Sequence, residues 1–269
     1  MKIYDELVNA DIISKIKPLL ETGEITITPD WKIHKSDSFR ADYSPRSFQS
    51  PWMFLWEPDG PEWHCWKKHL IYFDYLDLLP SDCLNCYKVV LAPPNLETMH
   101  YLYNKFLPLE WPAKIGAEVR PYVNRLWGMY FYNRGLEAGR TRYQEVKDII
   151  SGLDRDINCI LKRGCTEFEI KYGPSNQWDN IITEKQREYE RKLDKIFVNP
   201  PPSKNTAPPY FTSHKWRYFV EFAAANGDET YLKFTDGEEI PEHTVMDYKK
   251  IIWTHRTNKP PVTYHSKQE

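Results

Sequence analysis

Two cysteines separated by two residues, Cys83 and Cys86, lead directly into a β-branched run in Ser81-Asp82-Cys83-Leu84-Asn85-Cys86-Tyr87-Lys88-Val89-Val90. Such a pair can do thiolate chemistry, and thiolates select zinc or iron–sulfur clusters. A structural zinc site ordinarily uses two knuckles of this kind. Here there is one, and Cys65, Cys159 and Cys165 stand singly. Scattered single cysteines suit cluster ligation, which needs thiolates but no second knuckle. The sequence therefore points to a [4Fe–4S] cluster held by Cys65, Cys83, Cys86 and Cys165. Zinc is the alternative metal, favoured if His64 or His69 takes the place of Cys65.

Two competing accounts use the same residues. Free cysteine is among the most buried residue types, so the thiols could be inert core groups. A redox disulfide between Cys83 and Cys86 is the other, but such motifs gain their acidity at a helix start, and this one precedes a strand. Cys65 and His69, four apart on one helix, could form a nucleophile and base.

The elements that would position these thiols follow from periodicity. Pro61 opens a helix whose Trp63, Trp66, Leu70 and Phe73 make one stripe. Cys86 to Ala92 reads as a strand, and Asn95 as the cap of a helix faced by Leu96, Met99, Tyr103 and Phe106. Ala113 to Arg120 and Leu126 to Tyr132 read as strands, and Leu136, Tyr143, Val146 and Ile150 as a second amphipathic helix. Ile157 to Lys162 reads as a strand, and Thr166 to Tyr172, by its alternation, as one more. This order predicts an α+β fold with a ferredoxin-like βαββαβ core. Its fourth strand should lie antiparallel beside the first, bringing Cys165 towards Cys83 and Cys86. Cys159, inside that strand, should lie further away.

Around the core the sequence suggests an N-terminal helical and loop segment (1–80), the core with a long charged helix (81–198), a proline-rich linker (199–209) and a C-terminal extension (210–269). Glu24 to Thr28 and Trp31 to His34 alternate like strands, and 35–60 reads as a loop. In the extension, Trp216 to Ala224 is open between helix and strand, Glu229 to Phe234 reads as a strand, and Pro241 to Trp253 as a helix.

Composition narrows the classes. Acidic and basic residues nearly balance, 38 against 36, so no overall field demands an anionic partner. No run approaches the ~18 apolar residues of a membrane span. Five cysteines, an odd number, with Asp5, Glu6 and Asp11 early in the chain, argue for a reducing, cytoplasmic setting rather than a disulfide framework. Nucleotide-binding glycine loops and serine-nucleophile motifs are missing.

A different class of function starts from Arg125-Leu126-Trp127-Gly128-Met129-Tyr130-Phe131-Tyr132. At Arg125, Trp127, Gly128 and Tyr132 it resembles the third-strand motif of RNA-recognition modules, and it departs from that motif at Leu126, Met129 and Tyr130. The resemblance implies nucleic-acid contact through Arg125, Trp127 and Tyr132; separately, the basic, acid-free run Tyr248 to Lys267, including Lys249 and Lys250, could touch phosphates. An aromatic core strand is the competing account.

Overall fold

One strand, β4 (Cys86–Ala92), lies between two neighbours and is buried for six of its seven residues. The computed structural model containing it describes residues 31–33, 39–41, 50–56, 65, 68–153, 157–198 and 209–240. The chain divides into two units. The first takes 1–47, 59–84 and 176–202, and the second takes 48–58, 85–175 and 203–269. The boundary falls between Leu84 and Asn85, so it separates Cys83 from Cys86 within the motif.

The second unit is α+β. Besides β4 it contains β3 (Trp52–Trp56), β5 (Ala113–Ala117), β6 (Trp127–Arg134) and β7 (Asn158–Arg163). All neighbours are antiparallel, in the order β3-β5-β6-β4-β7. Val89 lies opposite Phe131 on one side and Leu161 on the other. The helices are α1 (Leu96–Phe106), α2 (Leu136–Ser151), α3 (Thr166–Tyr172) and α5 (Pro209–Ala225), with α4 (Glu184–Ile196) in the first unit.

Local chemistry explains the long elements. Pro93 and Pro94 cannot continue the β4 ladder. Asn95 then caps α1, its side chain accepting the Thr98 amide at 2.9 Å. Leu96, Met99, Leu102 and Phe106 form the buried stripe of α1. On α2 the stripe includes Gly139, where an added Cβ would lie 3.0 Å from both Leu161 and Tyr87, so the helix seats closely on the sheet. Alternate strand residues meet these helices: Met53 and Leu55, Tyr87, Val89 and Leu91, Ala113, Ile115 and Ala117, Trp127, Met129 and Phe131, Cys159 and Leu161. Phe219, Phe222 and Ala223 of α5 complete this core.

Four expectations are corrected. Thr166–Tyr172 is helix α3, not a strand. The extended Cys165 offers its carbonyl to the amides of Phe168 and Glu169, at 3.1 and 3.3 Å, and Glu169 is buried between Phe168 and Ile170 rather than alternating outward. Glu229–Phe234 is a short 3₁₀ helix, because the Asp228 side chain accepts the Thr230 amide and starts a helical turn. The charged helix, expected over Trp178 to Phe197, begins at Glu184, and Trp178 belongs to a separate 3₁₀ turn, Ser175–Asn180. Finally, the sheet has a fifth, edge strand, β3, inside a stretch read as loop. Its Trp-Met-Phe-Leu-Trp alternates in burial, and it pairs with β5 through an irregularity between Phe54 and Trp56. Trp216 to Ala224, left open, is helical as part of α5.

The first unit has a three-stranded sheet of β1 (Trp31–Ile33), β2 (Phe39–Ala41) and β8 (Phe197–Val198), with β1 and β2 antiparallel and β2 and β8 parallel. A wide π-type helix spans Lys68–Tyr75, where a regular α-helix was expected. A 3₁₀ turn, Ser81–Asn85, begins in this unit. Glu190 of α4 accepts the Ser81 amide at 3.0 Å and the Ser81 hydroxyl, and Gln186 donates to Leu79 O at 2.5 Å. The expected strand Glu24 to Thr28, the helix start at Pro61 and the helix Pro241 to Trp253 lie outside the described residues. No described helix is long and apolar enough to cross a membrane.

Candidate functional site

Two of the strand positions that do not face the helices bury charge. Lys88 of β4 stands opposite Tyr132 of β6 and Lys162 of β7, and all three are buried. Two buried lysines on adjacent strands need compensation, since an uncompensated buried ion is costly. Lys162 finds it in Glu169, which α3 brings back over the strand it has just left. Burial pulls the Lys162 ammonium below its ordinary pKa, and the Glu169 carboxylate opposes that pull. Lys88 finds its partner in a thiol: its Nζ lies 2.8 Å from Cys165 Sγ. It also lies 5.7 Å from the centre of the Tyr132 ring, which stacks on Phe54 at 6.3 Å. A cation this close to sulfur favours the thiolate, the reactive and metal-binding form.

A second cluster occupies the far side of the same face. Gly116 of β5 and Gly128 of β6 are paired across the sheet. A Cβ on Gly116 would fall 2.1 Å from Pro51 O, and one on Gly128 would fall 2.9 Å from the Tyr130 ring. The two glycines thus leave space in which the Trp52 and Tyr130 rings meet edge to face, 5.3 Å apart. Glu118 is fully buried just beyond β5. It accepts Arg120 Nε at 2.6 Å, Arg120 Nη2 at 2.5 Å and the Tyr130 hydroxyl at 2.7 Å. Burial alone would raise its pKa, but the Arg120 hydrogen bond and charge, with the Tyr130 hydrogen bond, hold it below the ordinary carboxylate value. Arg120 Nη1 donates to Glu167 at 3.2 Å, and Tyr122 donates to the same Glu167 oxygen at 2.6 Å. Because Glu167 is two residues from Cys165, this network ends beside the thiol turn.

The expected ligands are distributed as follows. Cys86 opens β4, and the Gly164 amide donates to its carbonyl at 2.8 Å, so the turn carrying Cys165 runs beside the start of β4. Cys159 is buried on the helix-covered face, where desolvation pushes its thiol up to about 12. It is a protonated core group. In the first unit, Cys83 is buried in the Ser81–Asn85 turn, and Cys65 is half-buried. Both thiols act on one lysine, Lys68. Burial would lower the Lys68 pKa, but Cys83, then Asp82 with its 2.9 Å ion pair, and then Cys65 raise it. His69 rests edge-on against Phe73 at 6.1 Å, and His64 lies outside the described residues.

Of the expected nucleic-acid residues, Trp127 faces the core. It is fully buried against Phe219 and Phe222, and its indole N–H is bonded to Asp228 at 2.8 Å, so it cannot stack on a base. Tyr132 is buried on the charged face, and Arg125 is half-buried in the loop before β6. Lys249 and Lys250 lie outside the described residues.

Sequence reading missed Lys88, Lys162, Glu169, Glu118, Arg120 and Tyr130. A signal was present for the two lysines, each a charge inside an otherwise apolar strand run, Cys86–Ala92 and Asn158–Arg163. No family model, curated protein or solved structure matches the chain.

Proposed function

We propose that this protein carries a thiolate-ligated metal centre, an iron–sulfur cluster of the [4Fe–4S] kind, at the Cys165 end of the charged sheet face. On this reading β4, α1, β5, β6, α2 and β7 form a ferredoxin-like core widened by β3. Cys86 and Cys165 are the ligands from that core; Cys83 and Cys65, the other residues the sequence names, belong to the first unit. The carrying observation is the 2.8 Å approach of Lys88 Nζ to Cys165 Sγ, at a turn hydrogen-bonded to the Cys86 backbone. A buried ammonium aimed at sulfur favours the anionic form of that sulfur. A cluster keeps its ligand thiols deprotonated, and N–H···S contacts are among the devices that tune it. In the first unit the charge of Lys68 is paired with Asp82 at 2.9 Å, with Cys83 and Cys65 also acting on it.

The test is metal analysis of anaerobically purified full-length protein and its cysteine variants. Brown protein containing iron and acid-labile sulfide is expected. Cys165→Ala should lose the metal, and Cys159→Ala should keep it. Colourless protein with stoichiometric zinc would assign the same ligands to the alternative metal and rule out the cluster. Absence of both metals, or equal loss from Cys165→Ala and Cys159→Ala, would sink the reading.

A further inference from the structure

The cluster around Tyr130 gathers several cations. Three of them approach one phenol ring: Lys114 Nζ at 5.3 Å from its centre, Arg120 at 5.7 Å and Arg125 at 5.8 Å. The carboxylates present, Glu118 and Glu167, already accept hydrogen bonds. Both Glu118 oxygens are held by Arg120, one of them also by Tyr130, and Glu167 takes Tyr122 and Arg120. Arg125 makes a single hydrogen bond, from Nη2 to the Tyr130 hydroxyl at 2.8 Å. Its Nε is buried and has no acceptor. A buried polar atom without a partner is costly, and in a folded protein it calls for an explanation.

A guanidinium presents Nε and one Nη as a fork that fits two oxygens of a carboxylate or phosphate. Arg125 therefore has an edge available for an oxyanion. Around it, beside the Glu118 carboxylate that shares the Tyr130 hydroxyl, are ring surfaces: Tyr130 beneath, Trp52 edge to face with Tyr130, and Lys114 at 4.2 Å over Trp52. This combination of an unmatched cation, a second cation and two aromatic rings suits a small organic anion, whose charged group is paired and whose apolar body lies against a ring.

We infer that Arg125, with Trp52, Lys114 and Tyr130, forms a binding site for the carboxylate or phosphate group of a small organic molecule. The fixed ion pairs of Glu118, Arg120 and Glu167 hold the site in shape. Arg120 and Glu167 also connect it to the Cys165 turn, so the bound molecule would be anchored one network away from the thiol. The site is independent of the metal, because none of its residues is a cysteine or the neighbour of one.

The experiment is calorimetric titration of full-length protein, at constant ionic strength, with inorganic phosphate and with benzoate, a planar carboxylate. Saturable binding of at least one is expected, and the preferred probe separates a phosphate source from a carboxylate source. Arg125→Ala should weaken it by about tenfold or more, the loss of a charge-assisted hydrogen bond and its ion pair. Metal content and unfolding midpoint should stay the same, since Arg125 is bonded only to Tyr130. Arg140→Ala, removing an exposed α2 cation paired with Glu137, should bind like the parent. Equal affinity in the parent and Arg125→Ala would overturn the inference, as would binding of neither probe. Retention of a single-stranded oligonucleotide with no response to either small anion would also overturn it, in favour of a nucleic-acid surface.

Discussion

The two faces of the second unit's sheet use the same five strands and opposite chemistry. Towards α1, α2 and α5 the positions are apolar except where Asn133 and Arg163 flank Tyr87, and Val89, Leu91, Ile115, Trp127, Met129 and Leu161 are all but inaccessible to water. On the other face Lys88, Tyr130, Tyr132 and Lys162 are nearly as inaccessible, yet they carry charge and hydroxyls. Burial of apolar area accounts for the first face at about 25 cal/mol per Å². No such account serves the second, because desolvating an ion costs more than its pairing commonly returns. Where a fold retains buried charge without a stability reason, a site is the natural explanation. On the proposed reading, the site lies on the face that contributes least to folding.

The sharpest way to break this contrast is at Trp127. It fills the helix-covered face, and its indole donates to Asp228 Oδ2, an oxygen that also accepts the Leu96 amide at 2.6 Å. Trp127→Ala should cost about 3–5 kcal/mol by cavity formation and the lost bond. Trp127→Phe, which keeps a ring, should cost much less. Denaturant melts of the two variants check this. A small loss in Trp127→Ala would mean that the apolar face is not the source of stability.

Next comes the charged face, through Lys162 and Glu169. Removing either partner leaves a buried ion uncompensated. Lys162→Met alone should therefore destabilise by about 3 kcal/mol, whereas the double variant Lys162→Met/Glu169→Leu should return close to the parent or exceed it. The same denaturant melts give the coupling energy as a double-mutant cycle. If the double variant were as unstable as the singles, the pair would be holding the fold together, and the division of labour between the faces would fail.

The unequal faces also explain what the sequence made legible. Periodicity tracks apolar burial, so β4 to β7, α1 and α2 could be placed from Val89, Met99, Met129 and Val146 and their neighbours. The same signal misreads elements that bury charge. α3 alternates Phe, Glu, Ile and Lys like a strand, but Glu169 goes inward to meet Lys162. The strand β3 was hidden because it lies alone between prolines, far in sequence from its partner β5. The cysteines were legible as residue types and Cys159 as the odd one out. The lysine that meets Cys165 was not, because Lys88 and Cys165 are 77 residues apart and join only through the β4–β7 register.

The smallest effect, and the one that best separates the faces, lies in the pH dependence of stability. Glu118 has its pKa held below the ordinary carboxylate value of 4.5, because its bonds to Arg120 and Tyr130 favour the anion more than burial opposes it. In the unfolded chain those bonds are gone and the carboxyl returns to its usual value. As pH falls through 4.5 the unfolded state binds the proton first, so the Glu118 contribution is complete above that pH and drains away as pH drops towards the lower, folded value. Glu118→Gln removes the titrating group. Its stability curve, from denaturant midpoints at a series of pH values, should therefore fall less steeply than the parent's on the acid side. Met129→Ala, on the apolar face, removes neither a titrating group nor a hydrogen bond to one, and should shift the whole curve down without changing its slope. An acid limb in Glu118→Gln as steep as the parent's would place the acid sensitivity elsewhere and take from the charged face the one stability role assigned to it.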